Sequence, residues 1–201
     1  MKYSLEELCK KLPNNAIIIM CGLPATGKST VAKKIADERG YELLRSDILR
    51  AKLLEGEDIF DSKIASDMNK RLMVYEVMFK KASEYASSGK GVILDATFVT
   101  QSLRERAATV AHSLGRTFVI IETVCDKEIA LSRIRKRREG QQYESNAITE
   151  EAYNNNLKIF EPVKVKEIAK KFPELKIYYF VINTDKKHPV VEEKERWNIK
   201  E

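Results

Sequence analysis

Short apolar runs alternate with longer amphipathic stretches along most of the chain. Five of these runs have the length and residue types of β-strands, and they lie at residues 16–22, 41–46, 91–97, 117–125 and 176–184. Strands that alternate with helices are joined by crossover connections, which favours a mainly parallel sheet with helices on both faces. The unbroken apolar segments AIIIM and GVIL are typical of strands that are buried on both faces.

Helical patterns occupy the intervals between these strands. They are predicted at residues 28–38, 62–88, 101–114, 127–138 and 149–171, the last with a break at Pro162. A short helix is also predicted at the N-terminus, where Ser4 and Glu7 form a capping-box pattern before an apolar face. The charged tail, residues 186–201, is expected to lie on the surface or to fray.

The composition predicts one globular domain, 1–201, because the chain has 201 residues, of which 43% are hydrophobic and 33% charged. The net charge of +6 leaves two interpretations open: solvated lysines, or a polyanionic partner such as a nucleic acid. The three cysteines have no paired spacing, which argues against a disulfide framework or a zinc site. No apolar run approaches the roughly 18 residues of a membrane-spanning helix, and the charged N-terminus lacks a signal-peptide pattern. A cytoplasmic location is therefore expected.

The segment CGLPATGKST follows the first buried strand and opens a helix. It contains the spacing Gly22-x-x-x-x-Gly27-Lys28-Ser29, in which glycines allow backbone N–H groups to cradle phosphate oxygens. The positive end of the following helix faces the same anion. Lys28 would reach the β- and γ-phosphates, and the Ser29 hydroxyl would bind Mg²⁺. The predicted nucleoside triphosphate site comprises Gly22, Leu23, Pro24, Ala25, Thr26, Gly27, Lys28, Ser29 and Thr30.

Polar residues follow the second and third predicted strands, where functional groups collect in an open parallel sheet. Asp47 could accept a proton from an attacking hydroxyl, and Arg50 could hold an acceptor or a transferred phosphoryl group. The alternative is that Asp47 only caps a helix and Arg50 is a solvated charge. Asp95 ends the apolar run VILD, a placement suited to binding Mg²⁺, and Thr97 is a candidate for the acceptor pocket.

A run of arginines, ALSRIRKRRE, follows the fourth predicted strand. Arg133 and Arg137 are four residues apart and would share one helix face. Arginines placed there could stabilise the charge that develops during phosphoryl transfer, although such a run can also be a solvated face. The polar stretch that follows is typical of a lid, so a lid is predicted around 133–150.

The segments GLPATGKSTVA, RSDILR, VILDATF and ALSRIRKR together resemble the AAA-type "predicted kinase" family. The relatives of that family include polynucleotide 5′-hydroxyl kinases, zeta toxins and chloramphenicol phosphotransferases. The resemblance covers residues 16 to 185. It implies a three-layer P-loop kinase fold, in which a five-stranded parallel sheet of order 2-3-1-4-5 carries helices on both faces and a helical lid.

The same resemblance implies roles for individual residues. Asp47 matches the general base of the polynucleotide kinase-like members, and Arg50 matches their acceptor-side arginine. Arg133 and Arg137 match the lid arginines, and Thr184 lies where the family's last strand flanks the adenine. ATP with Mg²⁺ is implied as the donor and a hydroxyl group as the acceptor.

These observations predict an ATP-dependent kinase with a small-molecule alcohol as its acceptor. A polynucleotide 5′-hydroxyl acceptor is the alternative, favoured by the positive charge. A GTPase switch is less consistent with the sequence, because NTDK at 183–186 has the residues of a guanine-reading motif in the wrong order. A nucleotide-binding module without catalysis is a third class, which the intact Gly27-Lys28-Ser29 and the two aspartates argue against.

Overall fold

The computed structural model describes residues 2–55, 67–139 and 149–199. The described strands are β1 (Lys2–Ser4), β2 (Ile17–Cys21), β3 (Glu42–Arg45), β4 (Val92–Asp95), β5 (Phe118–Val124), β6 (Ile177–Asn183) and β7 (Val190–Trp197). The described helices are α1 (Leu5–Lys11), α2 (Lys28–Arg39), α3 (Ser46–Leu53), α4 (Met68–Ser87), α5 (Gln101–Ser113), α6 (Lys127–Glu139), α7 (Glu150–Ile159) and α8 (Val165–Lys171).

One sheet contains all of these strands, in the order β1-β7-β6-β5-β2-β4-β3. The strands from β3 to β6 are mutually parallel and reproduce the predicted order 2-3-1-4-5. At the β6 edge, β7 adds antiparallel to β6, and β1 adds antiparallel to β7. The prediction of a five-stranded parallel sheet is therefore wrong in strand number and direction, because the sheet has seven strands and is mixed.

The chain termini supply the two extra strands. The tail predicted to lie on the surface or fray forms β7 instead, with Val191 fully buried between β6 and α1 residues. Most other positions of β7 are charged or partly exposed, since this strand buries one face only in part. The Tyr3 hydroxyl donates a hydrogen bond to Glu193 at 2.6 Å and ties β1 to β7. The charged sequence of β7 therefore did not predict a strand, because backbone hydrogen bonds to its neighbours are its main stabilisation.

Two apolar layers enclose the sheet, as the pattern predicted. On β2, Ile17, Ile19 and Cys21 pack against helices α4, α5 and α8. Ile18 and Met20 of the same strand face the opposite way, toward helices α1 and α2. All five residues of β2 are fully buried, which explains its unbroken apolar sequence.

The helices agree with the sequence pattern except in three places. The segment predicted at 149–171 forms two helices, α7 and α8, since Pro162 lacks a backbone N–H and restricts the residue before it. Within the described residues, the helix predicted at 62–88 begins at Met68, and residues 62–66 lie outside them. Helix α3 begins directly after β3, at the segment that carries Asp47. No helix within the three described ranges is long and apolar enough to cross a membrane.

Candidate functional site

The carboxyl ends of the parallel strands bring the predicted site residues to one edge of the sheet. The phosphate loop, residues 22–30, follows β2, while Asp47 follows β3 and Asp95 ends β4. In the register of the sheet, Arg45 of β3 pairs with Asp95. Thr184 follows β6, so donor-side and acceptor-side candidates share this edge.

Gly22 occupies a position that other residues cannot take without strain. Its φ angle is +133°, and its N–H donates to the Thr97 carbonyl at 3.2 Å. A Cβ atom on Gly22 would lie 2.5 Å from the backbone carbonyl oxygen of Thr123. The glycine is therefore required by both the backbone angle and the close approach of β5.

We expect Gly22→Ala to lower the free energy of unfolding by about 2–4 kcal/mol, since strain at φ adds to a backbone clash. Gly40→Ala is the matched control, because Gly40 also has a positive φ of 66° but open space around it. Its expected cost is about 1 kcal/mol. Urea denaturation of both variants measures the difference, and equal losses would show that the contact with Thr123 is relieved without cost.

Lys28 is held inside the phosphate loop. Its side chain is buried, and its ammonium donates to the Leu23 carbonyl at 2.6 Å. Burial lowers the pKa of Lys28 to about 8, while the nearby Asp95 carboxylate acts in the opposite direction. Bound phosphates would offer stronger acceptors than one carbonyl, so the ammonium is placed to transfer its hydrogen bonds to them.

Asp95 and Ser29 form a polar pair at the end of β4. Burial raises the pKa of the Asp95 carboxyl, and a hydrogen bond from Ser29 and the charge of Lys28 partly oppose the rise. A buried carboxylate and a hydroxyl are oxygen ligands of the kind that Mg²⁺ prefers, so these residues fit the ion. The described ranges contain no group of three or more His, Cys, Asp or Glu residues that could hold a metal. Such a sparse protein ligand set is usual where nucleotide phosphates complete the coordination.

Asp47 is fixed in orientation by Arg45, which the sequence analysis did not select. The Arg45 guanidinium donates to both carboxylate oxygens of Asp47, at 3.2 Å and 2.7 Å. The Ile48 N–H also donates to Asp47 at 2.9 Å. The rule that placed Asp47 at a strand end applies equally to Arg45, the last residue of β3, and could have found it.

Arg50, the predicted acceptor-side arginine, lies within helix α3. It is buried, and burial together with the charge of Arg71 lowers its pKa, whereas Asp67 acts to raise it. The Arg71 guanidinium donates to the Asn156 side chain at 3.0 Å, which connects α4 with α7. Arg71 and Asn156 carried no signal in the sequence, because only the packing of three helices brings them near the site.

The floor of this region is formed by the turn after β4. The buried Tyr75 hydroxyl accepts a hydrogen bond from the Phe98 N–H at 3.0 Å, and the Thr97 side chain offsets part of the rise that burial causes in the pKa of Tyr75. The Thr97 carbonyl accepts from the Gly22 N–H, so this turn connects the phosphate loop with helix α4.

The arginines of α6 lie on the opposite side of the phosphate loop. Arg133 donates to the Ala25 carbonyl at 3.2 Å, and to the Thr184 hydroxyl and carbonyl at 3.1 and 2.6 Å. Arg137 is half-buried and close enough to lower the pKa of Lys28. Residues 140–148, half of the predicted lid, lie outside the described residues.

The remaining loop residues differ in exposure. Pro24, Ala25 and Thr26 are buried, whereas Thr30 is exposed on the first turn of α2. The side chain of Thr26 donates to the Leu23 carbonyl at 2.8 Å. Its hydroxyl contacts that of Thr123 at 2.7 Å. These contacts involve side chains and do not engage the backbone N–H groups, which are the groups that cradle phosphate in such a loop.

Known proteins resemble this chain in sequence. Residues 17–163 match the family described as AAA domain. An uncharacterised protein of Mycobacterium tuberculosis is 29% identical over 130 residues, which cover 62% of this chain and 26% of that protein. The chain therefore spans about a quarter of the length of this relative.

Solved structures show the same fold at low sequence identity. A gluconokinase from Sinorhizobium meliloti has a TM-score of 0.57 at 16% identity, covering 87% of this chain and 86% of its own. Kti12 from Chaetomium thermophilum, in complex with ADP-AlF3, has a TM-score of 0.55 at 19% identity, covering 73% and 80%. The chain belongs to the AAA domain family and has an α/β fold of the P-loop kinase type.

Proposed function

We propose that the protein is a phosphotransferase that moves the γ-phosphoryl group of ATP to a hydroxyl group of a small molecule. One observation carries the proposal: Asp95 pairs in the sheet with Met20 of β2, the strand that leads into the phosphate loop, and with Arg45 of β3, which holds Asp47. The phosphate loop and the candidate acceptor base therefore adjoin the same carboxylate. The similarity in fold to a gluconokinase and to an ADP-AlF3 complex of Kti12 also supports it.

Each group has a defined task in this mechanism. The loop N–H groups and Lys28 hold the phosphates, and Asp47 orients the acceptor hydroxyl and takes its proton. Arg50 contacts the acceptor, and Arg137 offsets charge on the transferred group. Ser29 and Asp95 would hold Mg²⁺, which when bound neutralises charge on the phosphates. Catalysis then rests on positioning and electrostatics, without a covalent intermediate.

The position of Arg45 is compatible with this role of Asp47. Two hydrogen bonds from Arg45 point the Asp47 carboxylate in one direction. The carboxylate is thereby aimed to orient the acceptor hydroxyl and to take its proton as the phosphoryl group is transferred.

A polynucleotide 5′-hydroxyl group is the second candidate acceptor. The net charge of +6 would favour a polyanion, and Arg50, on the same helix as the candidate base, lies close to Arg71. A small molecule is the better-supported choice, because lid arginines are needed for ATP alone and the positive charges are distributed along the chain.

The test is transfer of label from [γ-³²P]ATP with Mg²⁺ to a panel of acceptors. The panel contains sugars, nucleosides, aminoglycoside and phenicol antibiotics, and an oligonucleotide with a 5′-hydroxyl end. Label on a small molecule is the expected result. Label on the oligonucleotide alone would make the protein a polynucleotide kinase. If ATP binds but no acceptor is labelled, a binding module without catalysis becomes the better account.

A further inference from the structure

The carbonyl groups of the phosphate loop are held by side chains from two other elements. Arg133 of α6 donates to the Ala25 carbonyl. Thr184, after β6, donates from its hydroxyl to the Thr26 carbonyl at 2.8 Å. Arg133 in turn donates to the Thr184 hydroxyl and carbonyl, so the two side chains act together. We call Arg133 and Thr184 the carbonyl clamp.

We propose that the carbonyl clamp positions the phosphate loop, holding it in its anion-binding conformation before a nucleotide arrives. The proposal rests on the function proposed above only in taking the loop as a phosphate site. Arg133 and Thr184 are thereby positioning residues that act on the nucleotide through the loop backbone.

The orientation of the carbonyls gives the physical reason. A loop that binds an anion must point its N–H groups inward, because a carbonyl oxygen turned toward phosphate would be repelled. Each peptide group places its N–H and C=O on opposite sides, so fixing a carbonyl outward turns the adjoining N–H inward. The clamp fixes the carbonyls of Ala25 and Thr26, the two residues before Gly27.

The backbone of the loop needs such support. Ala25 has a φ of +62°, a left-handed conformation that side-chain-bearing residues disfavour. Gly27 follows with a φ of +90°, and the Thr184 side chain lies 3.3 Å from where a Cβ of Gly27 would be. Without partners for its carbonyls, this segment would sample more relaxed conformations that bind phosphate poorly.

The clamp differs in its consequences from a transition-state arginine or an adenine contact. If clamp loss reduces the competent loop population to one tenth, the apparent Kd rises about tenfold for every ligand that uses the loop. ATP, ADP and inorganic tripolyphosphate would therefore lose affinity by the same factor. An adenine contact at Thr184 would affect the two nucleotides and spare tripolyphosphate. A transition-state role for Arg133 would lower kcat and leave the Kd values of all three ligands unchanged.

The experiment compares Arg133→Gln and Thr184→Val with the wild-type protein. Isothermal titration calorimetry measures Kd for ADP and for tripolyphosphate, each with Mg²⁺. Thr184→Ser keeps the hydroxyl and should restore affinity to within about twofold. Arg135→Gln is the matched control, since Arg135 lies on the same helix but pairs with the exposed Glu150. It makes the same charge change and should leave both Kd values unaltered.

A second readout needs no ligand. The backbone ¹⁵N relaxation dispersion of residues 22–28 should show new exchange in Arg133→Gln and Thr184→Val, and none in Arg135→Gln. This measurement stays decisive if the wild-type protein binds no nucleotide, an outcome that would remove the proposed kinase function alone. Unchanged dispersion together with unchanged Kd values in Thr184→Val would overturn the clamp, even if Arg133→Gln failed to fold.

Discussion

Asp47→Asn is expected to lower kcat for phosphoryl transfer by roughly 10²–10⁴-fold, the range associated with a positioned acid–base group. The asparagine has nearly the same shape but cannot take up a proton. It also loses one of the two charge-assisted hydrogen bonds with Arg45. The nucleotide should still bind with an unchanged Kd, because the phosphate loop is formed by other residues. Steady-state transfer to the acceptor identified by the panel, with ADP titration, measures both quantities.

Two further variants sharpen this test. Asp37→Asn is the control, as Asp37 lies exposed on α2 and pairs only with Lys33 among its ionic partners in the described residues. Its kcat should equal that of the wild type. Arg45→Gln keeps the base but removes the group that orients it, so a smaller loss of about tenfold is expected. Transfer that survives in Asp47→Asn would show that another group accepts the proton.

Arg104→Met is expected to lower the free energy of unfolding by about 3–5 kcal/mol, a large share of a typical domain's stability. Arg104 is fully buried on α5 and donates to backbone carbonyls on two segments. Those carbonyls belong to Phe98, Val99, Glu161 and Pro162. Methionine fills much of the same volume but removes the guanidinium donor from all four carbonyls, of which that of Val99 keeps the Glu161 N–H as a donor. Chemical denaturation followed by circular dichroism measures the loss.

The control for this variant is Arg106→Met. Arg106 lies two residues along the same helix, where it is partly exposed and pairs with Glu76. Its loss should cost no more than about 1 kcal/mol. Arg104 also supports the turn that carries Thr97, so the Kd for an acceptor should rise in the same variant. A loss below 1 kcal/mol for Arg104→Met would mean that water replaces the guanidinium at these carbonyls.

The phosphate loop and the parallel strands were predictable because their causes are local. A buried strand, glycines at fixed spacing and a lysine define the loop within residues 16–30. Strand ends likewise located Asp47 and Asp95, since every parallel strand directs its carboxyl end to the same edge. The prediction of five parallel strands failed where pairing depends on distant segments: β7 is charged, and β1 contains only three residues.

Arg104 shows why other parts of the structure were not predictable. In the sequence it is one of two arginines in LRERAA, and nothing there separates it from Arg106. Only the packing of the segment around Pro162 against the start of α5 buries the first and leaves the second near solvent. Whether an arginine on this helix is buried is therefore decided by the segment that packs against it.

By itself, the sequence pattern determined the layered α/β fold and the residues that form the phosphate loop, whereas the order of the parallel strands was implied by the family resemblance. Hydrophobic periodicity and glycine placement act over a few residues, so they can be seen along the chain. The tertiary structure alone decided which distant side chains come near each other across elements: Arg71 near Arg50, and Arg133 with Thr184. These partners are 21 and 51 residues apart along the chain, and only the closing of the sheet and its helices brings them together.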